Sequence, residues 1–168
     1  VIPTHHRPEK LMILLDSLAK QSHKDFEVII VPSPNDASID KIKQHPLFEK
    51  IRIEPIESDP WQGRSPAAKR NHGVKVSRSE WIAFIDDDCK ASEDWLSEAK
   101  KLISDNVSAI EGHIEIPHID PPTLTYTGLK RFSRPGGYQT ANMIYRKKDF
   151  MSVGGFDTKF PFYLEDTD

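Results

Sequence analysis

Several features that define common protein classes are scarce or absent in this sequence. Its one cysteine, Cys89, rules out a disulfide within the chain and favours a reducing compartment. Lysine and arginine number 23 against 26 aspartates and glutamates, so the formal net charge of −3 gives no general attraction to nucleic acid. No apolar run is long enough to span a bilayer, and no secretory signal is visible. We therefore expect a cytoplasmic globular protein that does not bind nucleic acid.

The length suits a single domain, although the chain ends suggest a fragment. A chain of 168 residues, 37% of them hydrophobic, can form one core. Its first residues have the pattern of the end of a strand, and its last residues follow an aromatic-rich stretch that needs a packing partner. We expect truncation at the C-terminus. Membrane association, at the cytoplasmic face, stays open because an attachment segment could lie in the missing parts.

Strands and helices are predicted to alternate over residues 1–105. Apolar runs predict strands at 1–3, 26–31, 51–53 and 81–85, and helical patterns predict helices after Pro8 and at 66–76 and 95–103. This alternation favours an α/β fold with a mostly parallel sheet flanked by helices. Residues 106–168 are less regular, with strands predicted at 109–116 and 140–145 and a short helix at 147–153.

Three adjacent aspartates, Asp86, Asp87 and Asp88, follow the predicted strand at 81–85. Ligands of open α/β sheets gather at the carboxyl ends of strands. On an extended backbone, Asp86 and Asp88 would point to one side and Asp87 to the other. Two hard oxygen ligands on one side suit Mg²⁺ or Mn²⁺. A solvated acidic turn explains the triplet equally well when it is considered alone.

Several short motifs resemble, in their order along the chain, the family-two glycosyltransferases, which have the GT-A (Rossmann-like) fold and take a sugar from a nucleotide diphosphate donor. The motifs are VIPT at 1–4 with Arg7-Pro8, FEVIIV at 26–31, AKRN at 68–71, FIDDD at 84–88, GGFD at 154–157 and Glu165-Asp166. The resemblance covers the whole chain. It implies one glycosyltransferase domain over 1–168, with a nucleotide-sugar-binding half at 1–105 and an acceptor-side half at 106–168.

The resemblance also implies roles for individual residues on the donor side. Asp88 is the leading metal ligand, and Asp86 and Asp87 share ribose contact and metal support. Asn71 is placed on the helix beside the nucleotide, together with Lys69 and Arg70. The first loop lies against the nucleotide base, and a further arginine contacts base or phosphate; these residues are Pro3, Thr4, His5, Arg7 and Arg64.

On the acceptor side, the resemblance makes Asp166 the general base, with Glu165 beside it as support. A carboxylate in hydrogen-bond reach can take the proton of an acceptor hydroxyl, on a saccharide, a lipid-linked sugar or another molecule. A divalent metal neutralises the departing diphosphate. One base without a separate nucleophile implies a single displacement with inversion at the anomeric carbon.

One departure from the family pattern concerns the nucleotide base. The family commonly has an acidic Asp-Asp-Gly-Ser pattern after the second strand, where this chain has Pro32-Ser33-Pro34-Asn35. Ser33 or Asn35 could still hydrogen-bond a base, and Asp36 lies shortly after them, but uridine specificity does not follow. The altered segment is also the main support for an alternative function, a nucleotide-sugar-binding domain without turnover.

Other interpretations compete at single positions and for the whole chain. A sugar-nucleotide pyrophosphorylase would have a glycine-rich loop after the first strand, whereas the loop from Thr4 to Arg7 has no glycine. An aspartyl phosphatase would continue differently after Asp88. Lys69 is expected on the solvated face of its helix, and Arg64 is as consistent with a surface position as with a phosphate contact. Cys89 is expected to be a packed residue rather than a nucleophile.

Overall fold

The computed structural model describes residues 1–56, 64–115 and 137–159, which form six strands and five α-helices. The strands are β1 (Ile2–Thr4), β2 (Val28–Pro32), β3 (Ile51–Ile53), β4 (Trp81–Phe84), β5 (Ala109–Glu111) and β6 (Met143–Arg146). The helices are α1 (Pro8–Ala19), α2 (Ser38–Ile42), α3 (Pro66–Val76), α4 (Trp95–Leu102) and α5 (Lys147–Ser152). Short 3₁₀ turns lie at Phe48–Lys50 and Thr140–Asn142.

The strands form two three-stranded sheets, in the orders β1-β2-β3 and β4-β6-β5. β1, β2 and β3 pair in parallel, and β6 pairs antiparallel with both β4 and β5. The two sheets are joined at Val1, whose nitrogen donates to the Ala83 oxygen (2.8 Å) and whose oxygen accepts from the Ile85 nitrogen (3.4 Å). This alternation of bonds is that of parallel strands. The predicted mostly parallel sheet is confirmed, with β6 as the reversed strand among the described residues.

Helices cover both faces of the parallel sheet. On one face, α1 buries Leu11, Leu14, Leu15 and Leu18 at helical spacing, with at most 4% of any of them exposed. They pack in one cluster with the even-numbered residues of β2, Val28 and Ile30. On the other face, the odd-numbered residues Ile29 and Val31 pack against Ala68 and Val76 of α3. β2 is therefore buried on both sides, which explains its continuous apolar sequence.

The second half is built around β6 and an aromatic cluster. Phe84, Tyr145, Phe150 and Phe156 pack against one another, with ring centroids 5.2 to 5.9 Å apart. The predicted strand at 140–145 begins only at Met143, because residues 140–142 form the 3₁₀ turn. The Asn142 side chain there bonds Trp95 and the His113 oxygen rather than continuing a regular strand edge.

No helix in residues 1–56, 64–115 or 137–159 is long and apolar enough to cross a membrane.

Candidate active site at the carboxyl ends of the strands

The carboxyl ends of β1 and β4 and the start of α3 enclose a cavity of about 230 Å³. Its lining residues are Pro3, Thr4, His5, Arg7, Arg64, Pro66, Lys69, Arg70, Asp86, Asp87 and Asp88. Nearly all of the donor-side residues that the sequence suggests are thus brought together, from segments more than 80 positions apart. Asn71 lies beside this group with other partners. Glu165 and Asp166 lie outside the described residues.

The acidic triplet is folded into a turn, and this corrects the extended geometry expected from sequence. The Cys89 nitrogen donates to the Asp86 oxygen at 3.1 Å, so the chain reverses as soon as β4 ends. Asp87 and Asp88 consequently share one partner, Arg7, while Asp86 faces Arg70. The alternation of a strand does not apply here, because the strand ends at Phe84.

Asp87 is the buried member of the triplet, with 4% of the residue exposed. The Thr4 hydroxyl donates to its carboxylate at 2.8 Å, and Arg7 donates at 3.2 Å. Burial raises the pKa of Asp87, and the bonds from Thr4 and Arg7 only partly oppose this effect. Asp87 therefore ties the acidic turn to the end of β1.

Asp88 is the accessible member of the triplet, with 39% of its side chain exposed. Its carboxylate lies 3.2 Å from the Arg7 guanidinium and 3.5 Å from the Lys10 ammonium. Both cations come from the start of α1 and have more than half of their side chains exposed, at 51% and 57%. Exposed ion pairs of this kind are weak, so Asp88 can exchange these partners for a ligand at little cost.

Asp86 forms the most buried ion pair of the site. Arg70, with 4% of its side chain exposed, donates to Asp86 at 2.8 Å, and the Asp86 side chain is 35% exposed. The Arg70 guanidinium also lies over the Phe156 ring, 5.9 Å from its centroid. Arg70 therefore connects the acidic turn with the aromatic cluster.

Lys69 is buried as well, with 2% of the residue exposed, so the solvated position expected from sequence is wrong. Its ammonium donates at 2.6 Å to both the Thr4 carbonyl oxygen and the Ser33 hydroxyl. These bonds join the ends of β1 and β2 to α3. The helix has no simple amphipathic pattern because Lys69 and Arg70 face the sheet ends rather than water.

The loops after β1 and β2 are joined by a second set of contacts. The Asp36 carboxylate accepts from the backbone nitrogens of His6 (2.8 Å) and Ser38 (2.9 Å). Burial alone would raise the pKa of Asp36, but the bonds from Ser38 and His6 outweigh it and lower the pKa. Ser33, at one of the positions where the family pattern has acids, lies 2.9 Å from His5 Nδ1. Burial and the nearby Lys69 lower the pKa of His5.

The residues present fit a divalent metal that shares its coordination with a ligand, rather than a site made by protein alone. Within residues 1–56, 64–115 and 137–159, no group of three or more His, Cys, Asp or Glu side chains is arranged to hold a metal ion. Mg²⁺ and Mn²⁺ are commonly held by one or two carboxylates, with substrate phosphates and water completing the shell. Asp88 supplies such an accessible oxygen ligand at the cavity, and the basic residues there suit phosphates.

Cys89 closes the acidic turn through its backbone nitrogen rather than through its thiol. Burial and the neighbouring aspartates Asp86 and Asp88 raise the pKa of its thiol to about 11. At neutral pH the thiolate is scarce, which agrees with a packed residue and not with a nucleophile.

From sequence, Lys10 was missed and the burial of Lys69 was not foreseen. Lys69 stands in the AKRN motif, so the resemblance was the available signal, but the charge itself suggested exposure. Lys10 stands three positions after Arg7 on the same helix start, and this spacing could have indicated a shared partner.

The polar cavity lies at the carboxyl ends of strands and is lined by acids and cations, which is where α/β proteins typically bind their ligands. The family model for glycosyl transferase family 2 matches residues 1–157, and the chain belongs to that family. An uncharacterized glycosyltransferase of Haemophilus influenzae is 26% identical over 182 aligned residues, covering 100% of this chain and 58% of the relative. The chain thus spans little more than half of that relative's length.

Two solved structures show the same GT-A fold. Staphylococcus aureus TarS 1-349 in complex with UDP superposes with a TM-score of 0.73 and 21% identity, over 99% of this chain and 51% of that one. The mannosyltransferase PcManGT from Pyrobaculum calidifontis, in complex with GDP-Man and Mn²⁺, superposes with a TM-score of 0.70 and 16% identity. The match covers 94% of this chain and 46% of that one. The predicted family and fold are both confirmed.

Proposed function

We propose that this protein transfers a sugar from a nucleoside diphosphate donor to an acceptor hydroxyl, with a divalent metal and with inversion at the anomeric carbon. The observation that carries the proposal is the cavity in which Asp86, Asp87 and Asp88 meet Arg7, Arg64, Lys69 and Arg70. A donor of this class needs both charge types, since its diphosphate is anionic and its metal cationic. The family match favours transfer over pyrophosphorylase or phosphatase chemistry.

The donor's diphosphate is proposed to lie between the acidic turn and the basic residues. Arg7 and Arg64 are exposed cations of the lining. Arg7 is already within 3.2 Å of the Asp88 carboxylate and can reach a phosphate held there. Pro3, Thr4 and His5 border the base. The related structures contain UDP in one case and GDP-Man in the other, so they support a nucleotide sugar without selecting its base.

The metal is proposed to bind at Asp88, with Asp86 as a further ligand. When bound, Mn²⁺ or Mg²⁺ stabilises the negative charge that grows on the leaving diphosphate. Asp88 has the exposure this role needs, and Asp86 lies close by with its side chain held by Arg70. Asp87 is proposed to support the turn and the ribose. The Mn²⁺ of the PcManGT complex supports a divalent ion in this fold.

The acceptor proton is proposed to pass to Asp166, supported by Glu165, in a single displacement. The acceptor is a hydroxyl of a saccharide, of a lipid-linked sugar or of another molecule. Proton removal by one carboxylate, with no covalent intermediate, leads to inverted anomeric configuration.

Thermal unfolding with UDP and GDP, each with and without Mn²⁺, tests donor binding. Because the described residues offer no complete metal cage, Mn²⁺ alone should stabilise little, and nucleotide with Mn²⁺ should stabilise more than the two separate effects added. Asp88→Ala should remove this synergy, whereas Asp105→Ala, in an exposed turn, should keep it. Equal stabilisation by nucleotide with and without Mn²⁺ would refute the metal assignment.

Transfer itself is tested with a panel of sugar nucleotides and hydroxyl acceptors, followed by the anomeric configuration of the product. Asp166→Asn should lower kcat by about 10²–10⁴-fold, the usual contribution of a general base, while nucleotide affinity stays near wild type. A product with retained configuration would contradict the single displacement. Synergistic binding of nucleotide and Mn²⁺ without turnover on any donor would instead favour the non-catalytic binding domain, the function suggested by Pro32-Ser33.

A further inference from the structure

The side chain of Asn71 is bonded to the backbone of a single distant residue, Phe156. Its Nδ2 donates to the Phe156 carbonyl oxygen at 2.8 Å, and its Oδ1 accepts from the Phe156 nitrogen at 2.9 Å. The two residues are 85 positions apart in sequence. A carboxamide that satisfies both polar groups of one residue acts like a neighbouring strand, and it fixes position and orientation together. The donor contact expected for Asn71 stays a prediction; in the structure its carboxamide contacts the chain after α5.

The turn that Asn71 holds has a shape that depends on two glycines. Gly154 and Gly155 have φ angles of +92° and +74°, in the left-handed region that side chains disfavour. A Cβ on Gly155 would also lie 2.6 Å from Asn71 Oδ1 and 3.1 Å from a Phe150 ring carbon. The absence of a side chain at 155 thus allows α3 and the turn to approach closely enough for the bonds of Asn71.

The same turn is connected to the acidic end of β4. The Phe156 ring packs on Phe84, the last residue of β4, with centroids 5.6 Å apart. The Arg70 guanidinium, which holds Asp86 at 2.8 Å, also lies over the Phe156 ring. Asn71 and Arg70 are adjacent on α3, so one turn of this helix bonds both the backbone of Phe156 and the carboxylate of Asp86.

From these contacts we propose that Asn71 is a positioning residue, which clamps the Gly154–Phe156 turn to α3 and so fixes the acceptor-side chain relative to the donor-side acids. This inference rests on the proposed function, because it assigns to the turn a place in sugar transfer. The proposal gives different roles to two adjacent residues of the AKRN motif. Arg70 acts on the donor side through Asp86, and Asn71 acts on the acceptor side through Phe156.

Hydrogen exchange in the full chain tests the clamp independently of any activity. In Asn71→Ala the Phe156 amide loses its acceptor, and its exchange should become about tenfold faster or more. Asn71→Asp keeps the acceptor and loses the donor, so its Phe156 amide should exchange more slowly than that of Asn71→Ala. Lys75→Ala, an exposed change on the same helix, is the matched control and should match wild type. Unchanged exchange in Asn71→Ala would overturn the clamp.

A double-mutant comparison tests the contact from its other side. Gly155→Ala places a methyl against Asn71 Oδ1, and it should speed exchange of the Phe156 amide. If the clamp is the shared cause, the double variant should exchange much less rapidly than the product of the two single effects predicts. If the exchange rate of the double variant equals the product of the two single effects, Gly155 and Asn71 act separately, and the inference is overturned.

Kinetics then decide between positioning and donor contact. For Asn71→Ala we expect transfer, as kcat or as kcat/KM for the acceptor, to fall about tenfold, while the Kd for UDP or GDP with Mn²⁺ changes less than twofold. A nucleotide Kd that weakens as much as transfer would make Asn71 a donor contact and overturn the proposal. So would unchanged transfer. A wild-type protein that binds nucleotide but transfers nothing would overturn the proposed function, and the exchange data would still decide the clamp.

Discussion

Lys69→Met is the substitution whose effect on folding follows most directly from the site. Methionine has a similar length and fills the same space, but it has no hydrogen-bond donor. Lys69 is buried, with 2% of the residue exposed. Its ammonium donates hydrogen bonds to the Thr4 carbonyl oxygen and to the Ser33 hydroxyl, each at 2.6 Å. Both bonds are lost in the variant. The ends of β1 and β2 then lose the link that joins them to α3.

The expected cost is the difference of two opposing contributions. A hydrogen bond to a charged group contributes about 1.5–3 kcal/mol, so two bonds contribute roughly 3–6 kcal/mol. Removing the ammonium also removes the penalty of burying a charge, which offsets part of this loss. We expect a net destabilisation of about 2–4 kcal/mol. For a domain of this size that lowers the midpoint of thermal unfolding by roughly 5–15 °C.

Urea and thermal unfolding of wild type, Lys69→Met and the control Lys75→Met measure the effect. Lys75 is an exposed lysine of the same helix, so its variant reports the general effect of replacing lysine by methionine in α3. A free energy of unfolding for Lys69→Met within about 0.5 kcal/mol of that of Lys75→Met, the usual range for surface changes, would refute the reasoning. Lys69 would then have no structural role at the strand ends.

Three further predictions concern groups whose pKa is shifted. The thiol of Cys89, whose pKa is raised from 9.0 to about 11, should react with iodoacetamide at pH 7.5 roughly 100-fold more slowly than an ordinary thiol, and Cys89→Ala should keep its nucleotide binding; rapid alkylation in the folded state would contradict this. The pKa of His5 is lowered from 6.5, so the unfolded chain takes up the proton first and stability falls as the pH drops below 6.5. His5→Gln should lose less stability than wild type between pH 7 and 5.5. An equal loss in the two proteins would show that His5 does not cause the pH dependence. The pKa of Asp87 is raised by burial, so its ionised form opposes folding as pH rises through that raised value. At pH 7, Asp87→Asn should unfold at no lower temperature than wild type while losing the synergy of nucleotide and Mn²⁺; a large drop in the unfolding temperature would show that the charge stabilises the fold.

Much of the fold follows from local pattern. α3 was predicted at 66–76 and is found at Pro66–Val76, because Pro66 starts the helix and Ser65 caps it through the Ala68 nitrogen. α1 follows from the spacing of its leucines, and β2 from an apolar run that only a strand buried on both faces explains. The predicted start of the strand at 140–145 was less accurate. The Asn142 side chain bonds Trp95 and the His113 oxygen, which lie far away in sequence.

The candidate site was predictable in membership but not in geometry. Motif order placed Thr4, Arg7, Arg64 and the three aspartates in one site, and the cavity contains all of them. Which aspartate is buried and which is exposed depends on the turn after β4 and on Thr4 and Arg7 opposite it, and no local pattern encodes those contacts.

The sequence by itself determined the alternation of strands and helices, the family and the residue types that meet at the strand ends, because propensity, apolar spacing and motif order are local properties. Only the tertiary structure decided what each polar side chain contacts. Lys69 and Arg70 are charged residues on a helix, and their burial follows from the Thr4 carbonyl and the Asp86 carboxylate that compensate it. Asn71 is polar and lies beside them, yet it bonds a backbone 85 residues later. Such partners come together only when the sheet brings distant segments to one edge.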